Sequence, residues 1–181
     1  MATWKSRGLR GSALEDLVNR TNEAYRENGL ALIQKIPTPI TPIDMNKQTG
    51  HITLAYFEKK STVDFIGAVQ GIPVCFDAKE CASDSFALRN IHEHQRKFMN
   101  DFEKQDGVAF IMLQFTERDE TYYVPFRDVE KFLKRADDGG RKSVRYDEID
   151  KSLKIERSGN FFLHYLEPLA EDMRRRSIDI N

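Results

Sequence analysis

The chain has 181 residues, 40% of them hydrophobic and 31% charged, which is typical of a soluble globular protein with one domain. No apolar run is long enough to span a membrane, and the basic N-terminus lacks the apolar stretch of a secretory signal, so we expect a cytoplasmic protein without a membrane partner. The net charge of −1 does not exclude a nucleic-acid partner, because phosphate binding needs local basic patches rather than a basic total.

The first predicted element is a helix from Ala13 to Asn28, followed by a short apolar strand from Leu30 to Ile36. Gly29 separates the two, as glycine often does at the end of a helix. The helix is predicted because five residues follow the spacing of one helical face: Leu14, Leu17, Val18, Thr21 and Tyr25.

The next stretch, residues 37–57, predicts a two-armed projection. Three prolines make the first arm extended and exclude it from the centre of a sheet, because proline has no N–H to donate. Asn46 to Gly50 is typical of a turn, and the alternation from His51 to Glu58 predicts a returning strand. The alternative is a disordered loop, which is common for proline-rich insertions.

The remaining elements predict an α/β fold with a mixed central sheet flanked by helices. We expect strands at residues 62–69, 72–79, 108–115 and 121–126, a helix over residues 88–104, and helical segments at the end of the chain. Val108 to Phe115 is apolar at nearly every position, which indicates a strand buried on both faces at the centre of the sheet.

Two neighbouring strands, joined by a predicted hairpin turn at Gln70–Gly71, carry the most informative residues. The register of this hairpin places Asp64 opposite Asp77. It also places Thr62 opposite Lys79. Side chains alternate along a strand, so Asp77 and Lys79 stand side by side on one face.

This arrangement predicts a metal site, because two carboxylates about 5 Å apart repel each other unless a cation lies between them. Carboxylate oxygens suit Mg²⁺, and we expect Mn²⁺ to substitute for it. Lys79 beside the metal would orient the attacking water and stabilise charge that grows on a phosphate. The alternative is a surface hairpin with ordinary charges, since an Asp-x-Lys pattern alone arises by chance in most chains.

The Asp64…Asp77-Ala78-Lys79 pattern resembles the PD-(D/E)xK nuclease motif, with Val63 where proline usually stands. Over nearly the full length, the order and spacing of further stretches resemble the RecU family of Holliday junction resolvases. These stretches are Arg7-Gly8, Leu14-Glu15-Asp16, Lys35-Ile36-Pro37-Thr38-Pro39, Ala55-Tyr56-Phe57, Ser61-Thr62-Val63-Asp64, Phe76-Asp77-Ala78-Lys79-Glu80, His92-Glu93-His94-Gln95 and Gly139-Gly140-Arg141-Lys142-Ser143-Val144.

The resemblance implies one nuclease domain over residues 1–181, with a restriction-endonuclease-like core, a homodimeric assembly and a stalk at residues 37–57 that enters the junction centre. It implies a divalent metal held by Thr62, Asp64, Asp77 and Gln95, with Lys79 stabilising the transition state. The sequence departs from the family at Asp77, where the family usually has glutamate, so we expect the metal to sit closer to the strand. The N-terminal arm is also brief.

Two further residue patterns have competing interpretations. Glu15 would assist at the active site, as a glutamate of an N-terminal helix does in related nucleases, or would complete a capping box with Ser12. His92 and His94 suggest zinc, but residues two apart do not share a helix face, and the two cysteines have the wrong spacing for a compact zinc site.

We expect four-way junction DNA as the substrate, with a RecA-type recombinase and a branch-migration helicase as further partners. DNA contacts are predicted for Arg7, Arg10, Lys35, Lys47, Arg141 and Lys142, although each basic cluster also fits an ordinary solvated surface. The predicted activity is metal-dependent resolution of Holliday junctions by a crossover junction endodeoxyribonuclease. The alternatives are a related nuclease that acts on duplex DNA, and an inactive DNA-binding or recombinase-binding module of the same fold.

Overall fold

The computed structural model describes residues 12–57 and 62–179, and none of the helices within these ranges is long and apolar enough to cross a membrane. The helices are α1 (Ala13–Glu27), α2 (Glu93–Glu103), α3 (Phe126–Asp137) and α4 (Leu166–Asp179). The strands are β1 (Leu32–Lys35), β2 (Ile40–Met45), β3 (Ile52–Phe57), β4 (Phe65–Val69), β5 (Ile72–Cys81), β6 (Ser85–Ala87), β7 (Val108–Phe115), β8 (Glu120–Pro125), β9 (Ser143–Arg145) and β10 (Lys154–Ile155).

Six strands form one mixed sheet in the order β1-β4-β5-β7-β8-β10. The β5–β7 pair is parallel, and every other neighbouring pair in this sheet is antiparallel. Strand β7 lies between β5 and β8 and is buried at seven of its eight positions, as its continuous apolar sequence predicted. The predicted mixed sheet flanked by helices is therefore confirmed.

Each face of the sheet packs against a pair of helices. Apolar residues of α1 and α4 cover one face, and apolar residues of α2 and α3 cover the other. Four aromatic rings stack across neighbouring strands on the α1 side, with successive centroid separations of 4.8, 4.5 and 4.2 Å: Phe65, Phe76, Phe110 and Tyr123. Stacked aromatic pairs stabilise a core beyond the area that they bury.

The second helix starts later than its sequence pattern predicts. Leu88–Asn90 forms one 3₁₀ turn, the backbone is extended at Ile91 and His92, and α2 begins only at Glu93. Leu88 and Ile91 are both buried, so this irregular turn places two apolar side chains in the core before the helix begins. A regular helix through this stretch was therefore the wrong prediction.

The predicted projection is present as a separate two-stranded antiparallel sheet of β2 and β3. Pro42 lies within β2 next to a bulge, which a two-stranded ladder accommodates because both strands are edges. The Asn46 side chain accepts bonds from the N–H groups of Gln48 and Thr49, which closes the connecting turn. Six large apolar side chains of this sheet are exposed: Ile40, Ile43, Met45, Ile52, Leu54 and Tyr56. The alternative of a disordered loop is wrong.

Candidate active site on strands β4 and β5

The hairpin between β4 and β5 has the predicted register. Gln70 and Gly71 both have positive φ, at 48° and 90°, as a tight two-residue hairpin turn requires. The ladder pairs Val69 with Ile72 and runs as far as Phe65, which lies opposite Phe76. Asp64 and Asp77 are the next residues in this register, so the turn aligns the two carboxylates as expected.

The two aspartates replace the ladder hydrogen bonds with side-chain bonds. The Asp64 N–H donates to Asp77 Oδ1 at 2.8 Å, and the Ala78 N–H donates to Asp64 Oδ2 at 3.0 Å. Because side chains take these backbone partners, β4 begins only at Phe65. Thr62 is exposed beyond the ladder, and the prediction that it pairs with Lys79 across the strands is wrong.

Lys79 extends from the same strand face as Asp77, as strand alternation predicted. Its Nζ lies 3.2 Å from Asp77 Oδ2, and the Asp77 side chain is fully buried. Oδ2 nevertheless accepts no hydrogen bond of good geometry from any described residue. A buried carboxylate oxygen without a well-directed donor is costly, so this atom favours an additional positive partner.

Burial raises the pKa of both aspartates, and the charge of Asp77 raises the pKa of Asp64 further. Loss of solvent, followed by the charge of Asp77, raises the pKa of Asp64 to about 6. Loss of solvent also raises the pKa of Asp77, although the ammonium of Lys79 opposes this. The folded protein therefore disfavours the ionised form of both carboxylates, and a bound cation would offset this penalty, which is a common property of a metal site.

Gln95 approaches these residues from the first turn of α2 and is buried. Its Oε1 accepts a bond from the His92 N–H at 3.0 Å and lies 3.5 Å from Lys79 Nζ. The amide oxygen thus caps the helix and contacts the lysine at the same time. This places Gln95 within the predicted site, beside Lys79.

The Glu15 carboxylate is directed toward the site rather than back to the start of its helix. The Ser12 hydroxyl accepts from the Glu15 N–H at 3.2 Å, which forms one half of the capping box. The carboxylate itself forms an ion pair with Lys35. Its negative charge contributes to the raised pKa of both Asp64 and Asp77, so Glu15 is a third acidic group near the pair.

These residues fit a cation that takes few protein ligands. Asp64 and Asp77 are bonded through the Asp64 N–H, their carboxylates interact electrostatically, and Asp77 Oδ2 has no well-directed donor. Mg²⁺ commonly binds through one or two carboxylates and completes its shell with water and substrate phosphate. Within residues 12–57 and 62–179, no three His, Cys, Asp or Glu side chains are placed to hold a metal together, so the remaining ligands would be other groups, water or substrate.

Comparison with known proteins identifies the family. Residues 9–171 match the family profile described as RecU, Recombination protein U. The chain belongs to the RecU family. A protein named Holliday junction resolvase RecU from Oceanobacillus iheyensis is 41% identical over 77% of this chain and 74% of its own length. Proteins of the same name from Leuconostoc mesenteroides and Staphylococcus aureus are each 38% identical, over 88% and 80% of this chain and 79% and 72% of their own lengths.

A solved structure described as Hjc, a Holliday junction resolvase from Archaeoglobus fulgidus, has a TM-score of 0.33 and 8% identity over 62% of this chain and 74% of that chain. That similarity is too low to support an argument about this RecU family member. The family match and the geometry around Asp64, Asp77 and Lys79 therefore carry the inference about its function.

The predicted DNA-contact residues are scattered around this RecU fold. Lys35 pairs with Glu15 at the edge of the site, Lys47 is exposed in the turn between β2 and β3, and Lys142 is exposed before β9. Arg141 forms an ion pair with Glu148 at 3.0 Å. Arg7 and Arg10 lie outside the described residues.

The basic run near the end of α4 is neutralised within the chain. Arg174 pairs with Glu171, Arg175 with Asp150 and Arg176 with Glu103, each at 2.7 Å. Arg175 and Arg176 join α4 to neighbouring parts of the chain, whereas Arg174 pairs within the helix, so the run is not a free phosphate-binding patch. The interpretation of Arg174, Arg175 and Arg176 as ordinary surface charges fits these ion pairs better than a role in DNA binding.

Sequence reasoning missed the role of Glu80 in the local structure. Its Oε1 accepts a bond from the Leu14 N–H at 3.0 Å, which joins β5 to the start of α1. The two residues are 66 positions apart, and no local pattern in the sequence indicates that they meet.

Replacing Asp64 with asparagine is expected to stabilise the metal-free protein at neutral pH by about 1–3 kcal/mol, because it removes a buried charge that its neighbour repels. Asparagine retains an oxygen that can accept from the Ala78 N–H. The pKa of Asp64 is about 6 in the folded protein and near 3.8 in the unfolded chain. Between these two pH values the folded protein therefore binds a proton that the unfolded chain does not. The stability advantage of Asp64→Asn should shrink as the pH falls through this window, because protonation removes the buried charge from the wild type.

Thermal unfolding in EDTA between about pH 4.5 and 7.5 measures this difference. Asp138→Asn, at an exposed carboxylate after α3, is the matched control and should show no such pH-dependent gain. Equal stability of wild type and Asp64→Asn at neutral pH would show that the paired charges cost the fold nothing.

Proposed function

We propose that this chain is a structure-selective endodeoxyribonuclease that resolves four-way DNA junctions with the help of Mg²⁺. The observation that carries the proposal is the meeting of Asp64, Asp77 and Lys79 on one strand pair. The chain belongs to a family in which its curated relatives are named Holliday junction resolvase. Both the site geometry and the family match support the activity of a crossover junction endodeoxyribonuclease.

Asp64 and Asp77 would hold the divalent cation, with Thr62 as the further ligand that the family resemblance implies. The cation, when bound, supplies Lewis-acid polarisation of the scissile phosphate and favours ionisation of the attacking water. Attack by the water oxygen on phosphorus would break the bond to the 3′ oxygen, leaving 5′-phosphate and 3′-hydroxyl ends. We infer Mg²⁺ as the natural ion, with Mn²⁺ as a substitute.

Lys79 would stabilise the negative charge that develops on the phosphate during this displacement. Its ammonium is held between Asp77 Oδ2 at 3.2 Å and Gln95 Oε1 at 3.5 Å, so its direction is set before substrate arrives. In this reading Gln95 orients Lys79, in addition to the metal-ligand role implied by the resemblance. Glu15 is the third carboxylate of the site, with its own position set by Lys35.

A homodimer fits this substrate, because two active sites related by a twofold axis would nick two opposing strands of a four-way junction symmetrically. We infer that residues 1–181 form one nuclease domain that carries the β2–β3 stalk.

A RecA-type recombinase and a branch-migration helicase are the partners that this reaction suggests. Phosphate contacts from Lys35, Lys47, Arg141 and Lys142, and from Arg7 and Arg10 of the N-terminal arm, would fix the DNA.

Cleavage assays with purified protein test the proposal. Labelled four-way junction and linear duplex of matching sequence are incubated with Mg²⁺, with Mn²⁺ and with EDTA, and the products are separated on a denaturing gel. Paired symmetric nicks in the junction support the proposal. Equal cleavage of the duplex identifies a general nuclease instead, and junction binding without metal-dependent cleavage identifies an inactive binding module.

Shortening the stalk is expected to remove the preference for junctions without unfolding the protein. The strands β2 and β3 pair with each other in a sheet of their own, and their large apolar side chains are exposed. A pair of strands with so little core does not exist for stability, so its function lies in contact with a partner. A variant that joins Thr38 to Tyr56 through a short Gly/Ser link removes the turn and most of both strands.

Competition binding between junction and duplex at fixed salt measures this effect, because backbone affinity depends strongly on salt. Wild type should prefer the junction, and the shortened protein should bind both about equally while retaining metal-induced thermal stabilisation. Ile43→Ser, which changes one exposed stalk side chain and leaves the turn intact, is the milder comparison. A shortened protein that still selects and resolves junctions would show that junction shape is recognised elsewhere.

A further inference from the structure

Glu80 follows Lys79 on β5 and lies on the opposite strand face from Asp77 and Lys79. It is exposed, so it does not anchor the strand by burial. Its carboxylate instead accepts from the N–H of Leu14, a fully buried residue in the first turn of α1, at 3.0 Å. One strand thus directs two groups into the site and a third toward the helix on the other side.

The first turn of a helix has N–H groups without intrahelical acceptors, and two side chains satisfy them in α1. Ser12 accepts from the Glu15 N–H within the same segment, at 3.2 Å. Glu80 accepts from the Leu14 N–H across 66 positions of sequence. Of the two capping side chains, Ser12 and Glu80, it is therefore Glu80 that joins the start of α1 to β5. Its negative charge is also favourable at a helix N-terminus.

A closed series of contacts runs from Glu80 to the aspartate pair. Leu14 precedes Glu15, whose carboxylate pairs with Lys35 at the end of β1. Ile36, the residue after Lys35, donates its N–H to the carbonyl oxygen of Asp64 at 2.8 Å. Asp64 is bonded in turn to Asp77 on β5, the strand that carries Glu80. The start of α1 is therefore joined to β5 twice, directly through Glu80 and indirectly through the Glu15–Lys35 ion pair and the backbone bond from Ile36 to Asp64.

We propose that Glu80 is a positioning residue that fixes the first turn of α1, so that the Glu15 carboxylate stays beside Asp64 and Asp77 and strengthens divalent-cation binding there. This inference rests on the proposed function of the aspartate pair as a metal site. Glu80 acts through Glu15 rather than on the cation, because its side chain lies on the other face of the strand. Loss of Glu80 should let the start of α1 move and carry Glu15 away.

Direct titration with Mn²⁺ by calorimetry, without DNA, measures the effect separately from catalysis. Glu80→Ala should weaken Mn²⁺ binding about tenfold, the lower end of the range for losing a group that orients a metal site. Glu80→Gln keeps an oxygen able to accept from the Leu14 N–H, so it should restore most of the affinity. In a Glu15→Ala background, Glu80→Ala should cause no further loss, because the two residues act in one series.

Asn28→Ala is the matched control, because the Asn28 side chain donates to Ala24 O at the other end of the same helix, at 2.8 Å. It loosens α1 without touching Glu15, so Mn²⁺ affinity should stay unchanged. Three results would overturn the positioning role. Glu80→Ala could bind Mn²⁺ as tightly as wild type, or could lose as much affinity in the Glu15→Ala background as it does alone. Asn28→Ala could also lose as much Mn²⁺ affinity as Glu80→Ala. If Glu80→Ala does not fold, failure of Glu80→Gln to bind Mn²⁺ like wild type overturns it in the same way. A wild-type protein that binds no Mn²⁺ contradicts the proposed function itself.

Discussion

Asp77→Asn is expected to abolish metal-dependent cleavage of four-way junctions, lowering the rate by about 10³-fold or more, while junction binding survives. The Asp77 side chain is fully buried and its Oδ2 has no well-directed donor, so this oxygen is the strongest candidate for cation binding. An amide at this position places N–H hydrogens or a neutral oxygen where a negative charge is needed. Asp64→Asn should have the same effect on cleavage.

Single-turnover cleavage of a labelled junction, with excess protein and with or without EDTA, measures this loss. Asp84→Asn is the matched control, because Asp84 is an exposed carboxylate that pairs with Arg118 at 2.6 Å and forms no hydrogen bond or ion pair with Asp64, Asp77 or Lys79 among the described residues. It should cleave like wild type. Gel-shift binding in EDTA should be equal for all the proteins, since DNA backbone contacts do not require the metal. Full cleavage by wild type in excess EDTA would contradict the metal mechanism.

Lys79→Ala is expected to lower the cleavage rate by roughly 10²–10³-fold, the scale for removing one donor that stabilises transition-state charge. Binding of Mn²⁺ and of junction DNA should change much less, because the ammonium is not a metal ligand. The metal-free variant should also lose some stability, since Asp77 would remain buried without its neighbouring cation at 3.2 Å.

Comparison of single-turnover rates with Mn²⁺ affinities separates the chemical role of Lys79 from a structural one. Lys142→Ala, at an exposed lysine outside the aspartate pair, is the matched control and should affect DNA affinity more than rate. A Lys79→Ala protein with near-normal turnover would assign Lys79 to the support of Asp77 alone. A loss explained wholly by weaker Mn²⁺ binding would lead to the same conclusion.

The local features of the site follow from sequence patterns within one or two neighbouring elements. A two-residue turn at Gln70–Gly71 sets a hairpin register, and that register alone aligns Asp64 with Asp77. Strand alternation then places Lys79 beside Asp77. The same reasoning failed at Thr62, because hydrogen bonds from the aspartate side chains end the ladder, and a strand pattern does not reveal this competition.

The sequence by itself determined the central strand β7, the first helix, the hairpin of the aspartates and the two-armed stalk, because each depends on local periodicity or turn chemistry. Only the tertiary structure decided which distant side chains complete the site. Gln95 meets Lys79 because α2 packs over β5, and Glu80 reaches Leu14 because α1 packs on the other face. Periodicity reports the face on which a residue lies, but the meeting of two elements depends on how their side chains fill the space between them.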